Sequence, residues 1–139
     1  MRCRYNLFAL SIFVVTASFF CGCQSNNKED ISLTALETAQ QFLRLEMSGD
    51  YKNATENLLA TDYNQTILSI HQKEYDAMSE EQKKQLKSDI INIVSYNETS
   101  DSTAILDYSN IVDTAKQRLY LIRLNKKWLI DFKTPNPSK

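Results

Sequence analysis

The chain has 139 residues, enough for one domain and too few for two. Apolar residues make up 42% and charged residues 24%, a globular balance that excludes a wholly disordered chain. The formal net charge is −1; without the first 22 residues it is −3, from 14 basic and 17 acidic residues. That excludes the basic face a nucleic-acid binder needs.

Arg2 and Arg4 open the chain with positive charge, and Leu7 to Phe20 follows as 14 uncharged, strongly apolar residues. A membrane-crossing helix needs about 20 such residues, so this stretch suits the apolar region of an export signal. The next residues, Phe20-Cys21-Gly22-Cys23, resemble the lipobox read by lipoprotein signal peptidase. A small residue must precede the modified cysteine; Gly22 satisfies this for Cys23, whereas Phe20 would block cleavage before Cys21. Phe20 itself departs from the usual leucine. The resemblance implies a signal peptide over 1–22, diacylglycerol on Cys23, and a membrane-held product, since two or three acyl chains anchor stably where one does not. All three cysteines, Cys3, Cys21 and Cys23, lie in this region, so the exported domain has no free thiol or disulfide and depends on its core. Residues 23–31 form the lipidated cysteine and a polar tether. Within it Lys28-Glu29-Asp30 reads either as a solvated linker or as an acidic signal for outer-face display.

Thr34-Ala35-Leu36-Glu37 is a capping box, and Leu36, Ala39, Phe42, Leu43 and Met47 recur at helical spacing after it. Gly49, the only glycine after Gly22, stands where a left-handed helix terminator is wanted. Asp50 caps a second, shorter helix with Tyr51, Ala54 and Leu58 on one face. A third helix is predicted from about Asn64 to Met78, with Ile67, Ile70, His71 and Met78 on its inner side. Ser79-Glu80-Glu81-Gln82 is a second capping box, and Lys83, Lys84 and Lys87 after it read as a solvated helix face rather than a phosphate or headgroup site.

From Asp89 the period changes to two. Four strands are predicted, around Ile90–Tyr96, Ala104–Tyr108, Leu119–Leu124 and Trp128–Phe132. The breaks at Asn97–Ser102, Asn110–Lys116 and Asn125–Lys126 suit antiparallel hairpins. Helices first and a meander after them predict an α+β domain over 32–134, its helices packed on one face of a four-stranded antiparallel sheet. Pro135 and Pro137 end it, leaving 135–139 as a frayed tail.

The run from Leu36 through Leu58, its Gly49-Asp50-Tyr51 corner and the final Lys127-Trp128-Leu129-Ile130 strand resemble nuclear-transport-factor-2-like lipoproteins. More narrowly they resemble small bacterial envelope proteins related to lumazine-binding-like domains. The resemblance covers about Ser32 to Lys133. It implies a cone-shaped fold, a curved sheet wrapped round the long first helix, often with a cavity between them. It implies no activity, because this fold hosts enzymes, binding modules and adaptors alike.

One glycine in the exported domain excludes a glycine-rich phosphate loop, and one histidine with no cysteine excludes a thiol nucleophile or a recognisable zinc site. No cofactor is implied. Asp107 or Asp131 with Tyr51, Tyr108 or Tyr120 would be the material for an isomerase- or dehydratase-like site. Their alternation with core residues, however, predicts that both aspartates face solvent. His71 reads as a boundary histidine with its polar tip satisfied. Phe42, Leu43, Trp128 and Phe132 are the natural lining for a small apolar ligand, or else plain core. The strand Arg118–Leu124 is apolar on both faces, which predicts that its outer face is covered by a second copy or an envelope protein. That interaction reading is favoured, with the Cys23 anchor binding the membrane and no enzymatic role. Asp101-Ser102-Thr103 and Asp113-Thr114-Ala115 match an O-glycosylation pattern of exported Gram-negative proteins, making Ser102 and Thr114 candidate acceptors in hairpin turns.

Overall fold

A computed structural model describes residues 32–110 and 114–133. Cys23, the export signal, the tether through Ile31, and the tail lie outside the described residues. The described chain is α+β: four helices, then a four-stranded antiparallel meander in the order β1-β2-β3-β4. Among the described residues no helix is long and apolar enough to cross a membrane.

Helix α1, Ala35–Ser48, begins at the expected capping box: Thr34 Oγ1 accepts from the Glu37 amide at 3.3 Å, and Glu37 accepts from the Thr34 amide at 2.8 Å. It ends at Gly49, whose φ of 77° puts it in the left-handed region. The Gly49 and Asp50 amides donate back to the carbonyls of Glu46 and Leu45 at 2.9 and 2.8 Å, closing the helix end. Asp50 then accepts from the Asn53 amide at 3.2 Å and starts α2, Tyr51–Ala54, which tightens into a 3-10 turn over Thr55–Asn57. Tyr51, Ala54 and Leu58 are all buried, as their spacing predicts.

Helix α3, Asp62–Ala77, is capped by Thr61, and α4, Glu80–Ser88, by the Ser79–Gln82 box. The inner face of α3 differs from the predicted one. Asn64 and Leu68 are buried and Ile70 is 44% exposed, so the stripe is rotated away from Ile70. The cause is Asn64, a polar residue at 0% exposure. Its amide donates to the Leu59 carbonyl at 3.1 Å and its oxygen accepts from the Phe132 amide at 3.0 Å. A doubly satisfied amide is cheap to bury, and it ties α3 to the end of the last strand. Helix α4 buries no residue, in keeping with its reading as a solvated face; Lys83 pairs with Glu80 at 3.2 Å.

The strands are β1 (Asn92–Ser100), β2 (Thr103–Ser109), β3 (Gln117–Leu124) and β4 (Lys127–Asp131), and the last three alternate inner and outer side chains as period two requires. Ala104, Leu106, Tyr108, Leu119, Leu121, Trp128 and Ile130 point inward, into one core with Ala35, Ala39, Phe42, Leu43 and Leu68. β1 runs four residues further than predicted, leaving a two-residue turn at Asp101-Ser102. The second tight turn, Asn125-Lys126, has φ of 50° and 68°, the two positive values that a twist-matched hairpin needs. The two sheet edges differ. β4 is covered by the segment after α2, where Leu58 bridges Ile130 and the Leu59 amide donates to the Ile130 carbonyl at 2.8 Å. β1 is exposed along nearly all its length and is interrupted by two register shifts, which blunt it against further pairing.

The corner at Gly49 is tight as well as left-handed. A Cβ there would lie 2.5 Å from Tyr75 Cε1 and 2.7 Å from Cζ. Gly49→Ala is therefore expected to cost about 2 kcal/mol or more, combining left-handed strain with displacement of the Tyr75 ring. Urea unfolding should show a lower midpoint with unchanged slope; an unchanged midpoint would refute the packing described for this corner.

Candidate functional site

Two clefts flank the core at opposite ends of the strands. The first, about 210 Å³, lies where α1, α2, α3 and α4 meet the far ends of β2 and β3. α1 brings Leu43, Glu46 and Met47 to it on successive turns, and α3 brings His71 and Tyr75 from the other side. His71 Nδ1 donates to Glu46 Oε1 at 2.8 Å, the polar link between these two helices. The His71 ring meets Phe132 edge-on at 5.3 Å, and Phe132 meets Phe42 in the same way at 5.8 Å. Tyr51 Oη donates to the His71 carbonyl at 3.2 Å and its ring packs on Tyr75 at 5.9 Å.

This environment sets the protonation of His71. The Glu46 hydrogen bond raises its pKa above the ordinary 6.5; burial opposes the rise, and the charges of Glu46 and Glu74 add to it. Tyr51 is pushed well above the usual phenol range, first by burial and then by Glu46. The arrangement holds a proton on an oriented imidazole beside a carboxylate, with a tyrosine kept in its neutral form. Among the described residues no group of three His, Cys, Asp or Glu side chains could hold a metal ion.

Asp107 lies on the outer sheet face, as its alternation predicts, but it is only 5% exposed rather than facing solvent. Its cross-strand neighbours cover it. Arg118 donates to both carboxylate oxygens, from Nε at 2.6 Å and Nη2 at 3.0 Å, Lys116 donates at 3.2 Å and Ser95 at 3.1 Å. Arg118 chiefly, then Lys116 and Ser95, holds the carboxyl far below the usual carboxylate range despite burial. A base working near neutral pH needs the opposite shift. Asp131 is half-buried and accepts from the Lys133 amide at 3.0 Å. It is opposite Tyr120 on the same outer face, away from Tyr51 and Tyr108, which belong to the core.

The four candidate lining residues separate. Phe42 is sealed in the core at 0% exposure, Leu43 borders the His71 cleft, Phe132 is half-buried between Phe42 and His71, and Trp128 lines the other cleft at the hairpin end. Phe42, Leu106, Leu121 and Ile130 fill the space between helix and sheet that a ligand-holding cone would leave open. Ser102 and Thr114 are both exposed. The pairing of Glu46 with His71 spans 25 positions, and no local pattern announces it. No family model matches the chain, and no curated protein is significantly similar to it.

His71 is the only histidine, so its imidazole signals can be followed by NMR without ambiguity. Its midpoint should lie above 6.5 and fall in Glu46→Gln. Because the folded-state pKa exceeds the unfolded one, the stabilisation is complete below about pH 6.5 and is lost as pH rises through the folded value. Unfolding measured across that window should show declining stability in the parent and a flatter profile in Glu46→Gln.

Proposed function

We propose that this chain is a lipid-anchored lipoprotein of the bacterial envelope, whose nuclear-transport-factor-2-like domain acts by non-covalent contact through the outer face of its sheet. The observation that carries this reading is the composition of that face. Ile105 lies opposite Tyr120, and Ile122 opposite Leu129, making two adjacent cross-strand apolar pairs, all four residues half-buried. The described helices send their buried side chains to the inner face instead. The apolar block is bordered by the Asp107–Arg118 ion pair and by Asp131, a polar rim beside an apolar centre. An apolar patch so framed suits a protein surface, either a second copy meeting about a two-fold axis or an envelope partner.

The filled interior weighs against a small apolar ligand held inside the cone. The depressed Asp107 pKa, and the separation of Asp131 from Tyr51 and Tyr108, weigh against an acid–base site of isomerase or dehydratase type. The anchor stands on the Gly22-Cys23 junction and the preceding apolar run. The family reading is supported by the long first helix on the sheet, the Gly49 corner and the meander.

A photo-crosslinking residue at Ile122 tests the contact in intact cells. It should capture either a second copy or one reproducible envelope protein, while the same residue at Lys84 on α4 should capture neither. Ile122→Glu should abolish the contact and change folding stability by about 1.5 kcal/mol or less, since the side chain is only half-buried. Equal yields from both positions would refute the surface. For the anchor, Cys23→Ala and globomycin should each block processing; a Cys23→Ala protein processed like the parent would refute it.

A further inference from the structure

The second cleft, about 290 Å³, opens between the start of α1, the turn after α2 and the β3–β4 hairpin. Two polar side chains in its wall are nine-tenths or more buried: Thr38 at 2% exposure and Asn57 at 7%. Among the described residues neither side chain has a hydrogen-bond partner. Every side-chain nitrogen or oxygen sealed from solvent among the described residues is partnered, so the free hydroxyl and carboxamide of these two reach the cleft. Open to the cleft rather than sealed, both groups are available to pair with an occupant.

The rest of the wall defines the chemistry. Lys126 and Lys127 line it, and among the described residues no acidic residue does. Lys127 is held in place by donating from Nζ to the Glu56 carbonyl at 2.8 Å. Lys126 occupies a left-handed turn position, φ 68°, where glycine is the unstrained choice, so its charge is kept there at a conformational cost. Leu33, 39% exposed, and the Trp128 ring add apolar surface. Two cations, a hydroxyl, an amide and an adjoining apolar wall suit an anion carrying an apolar group.

Position selects among such anions. Ser32 forms part of the wall and donates from Oγ to the Lys126 carbonyl at 2.6 Å, so the chain enters the domain at the cleft. Ser32 lies nine positions after Cys23, a reach of at most about 30 Å. We infer that this cleft binds the phosphodiester headgroup of an anionic phospholipid in the membrane that holds the anchor. The choice of lipid as the source rests on the proposed lipidation of Cys23.

Trp128 is the only tryptophan and borders the cleft, so its fluorescence reports occupancy directly. The protein, extracted in detergent as cells make it, is titrated with dihexanoyl-phosphatidylglycerol, dihexanoyl-phosphatidylcholine and inorganic phosphate. The anionic lipid should give a saturable change, with the other two at least about tenfold weaker, the scale of one charge-assisted contact. Lys126→Gly, which relieves the turn and so should fold at least as well, should weaken the lipid about tenfold, and Asn57→Asp should weaken it further by repulsion. Inorganic phosphate binding as well as the lipid would overturn the lipid assignment. Equal response to both lipids, no saturable change, or an unaltered Lys126→Gly variant would overturn the site. Mass spectrometry of Cys23 on the same sample separates the two ideas: an unmodified sulfur with saturable lipid binding fails the anchor alone, and a lipidated sulfur with a silent Trp128 fails the cleft alone.

Discussion

A closed ring of contacts holds the helical layer to the sheet. Phe42 on α1 packs on Phe132 at the end of β4, Phe132 packs on His71 of α3, and His71 returns to α1 through Glu46, one helical turn beyond Phe42. Ala35 and Ala39 at 0% exposure let α1 approach the sheet closely enough for Phe42 to be sealed against Leu106, Leu121 and Ile130. The described domain contains no cysteine, so nothing covalent substitutes for this packing. Asn64 closes the same region from the other side by holding the Phe132 amide and the Leu59 carbonyl. The two clefts can exist because the middle of the interface is full.

The elements were legible wherever their cause was local. Capping boxes at Thr34 and Ser79, the terminator at Gly49 and the cap at Asp50 act within a few residues, and each operates where the sequence placed it. Strand alternation likewise identified the inner residues of β2, β3 and β4. The turn of α3 was not legible, because periodicity counts Asn64 as polar and outward, whereas two backbone groups distant in sequence, or brought in from outside the helix, make its burial favourable. Asp107 was assigned to the correct face but the wrong environment: period two gives the face, and only strand register brings Arg118 and Ser95 over it. The same holds for the candidate sites. Glu46 with His71, and Thr38 with Asn57 and the hairpin lysines, are assembled by tertiary packing from separated segments, so no spacing rule could have joined them.

Strand direction gives the two clefts different surroundings. The turn Asp101-Ser102 and the turn Asn125-Lys126 share one end of the sheet, since Thr103 pairs with Ile122 and Leu124 with Lys127. Ser32 is bonded to that end, whereas Tyr108 and Gln117, at the other end of β2 and β3, border the His71 cleft. Eight residues of β3 separate the ends by roughly 27 Å. With the chain anchored as proposed, the lysine-lined cleft is the one the tether brings to the bilayer. The Glu46–His71 cleft then points away, and the outer apolar face runs between them along the side of the domain. A partner engaging that face would approach laterally, parallel to the membrane, without displacing the headgroup cleft. Anchor, headgroup site and contact surface would therefore be used together rather than in competition, a division of surfaces set by the antiparallel register of four short strands.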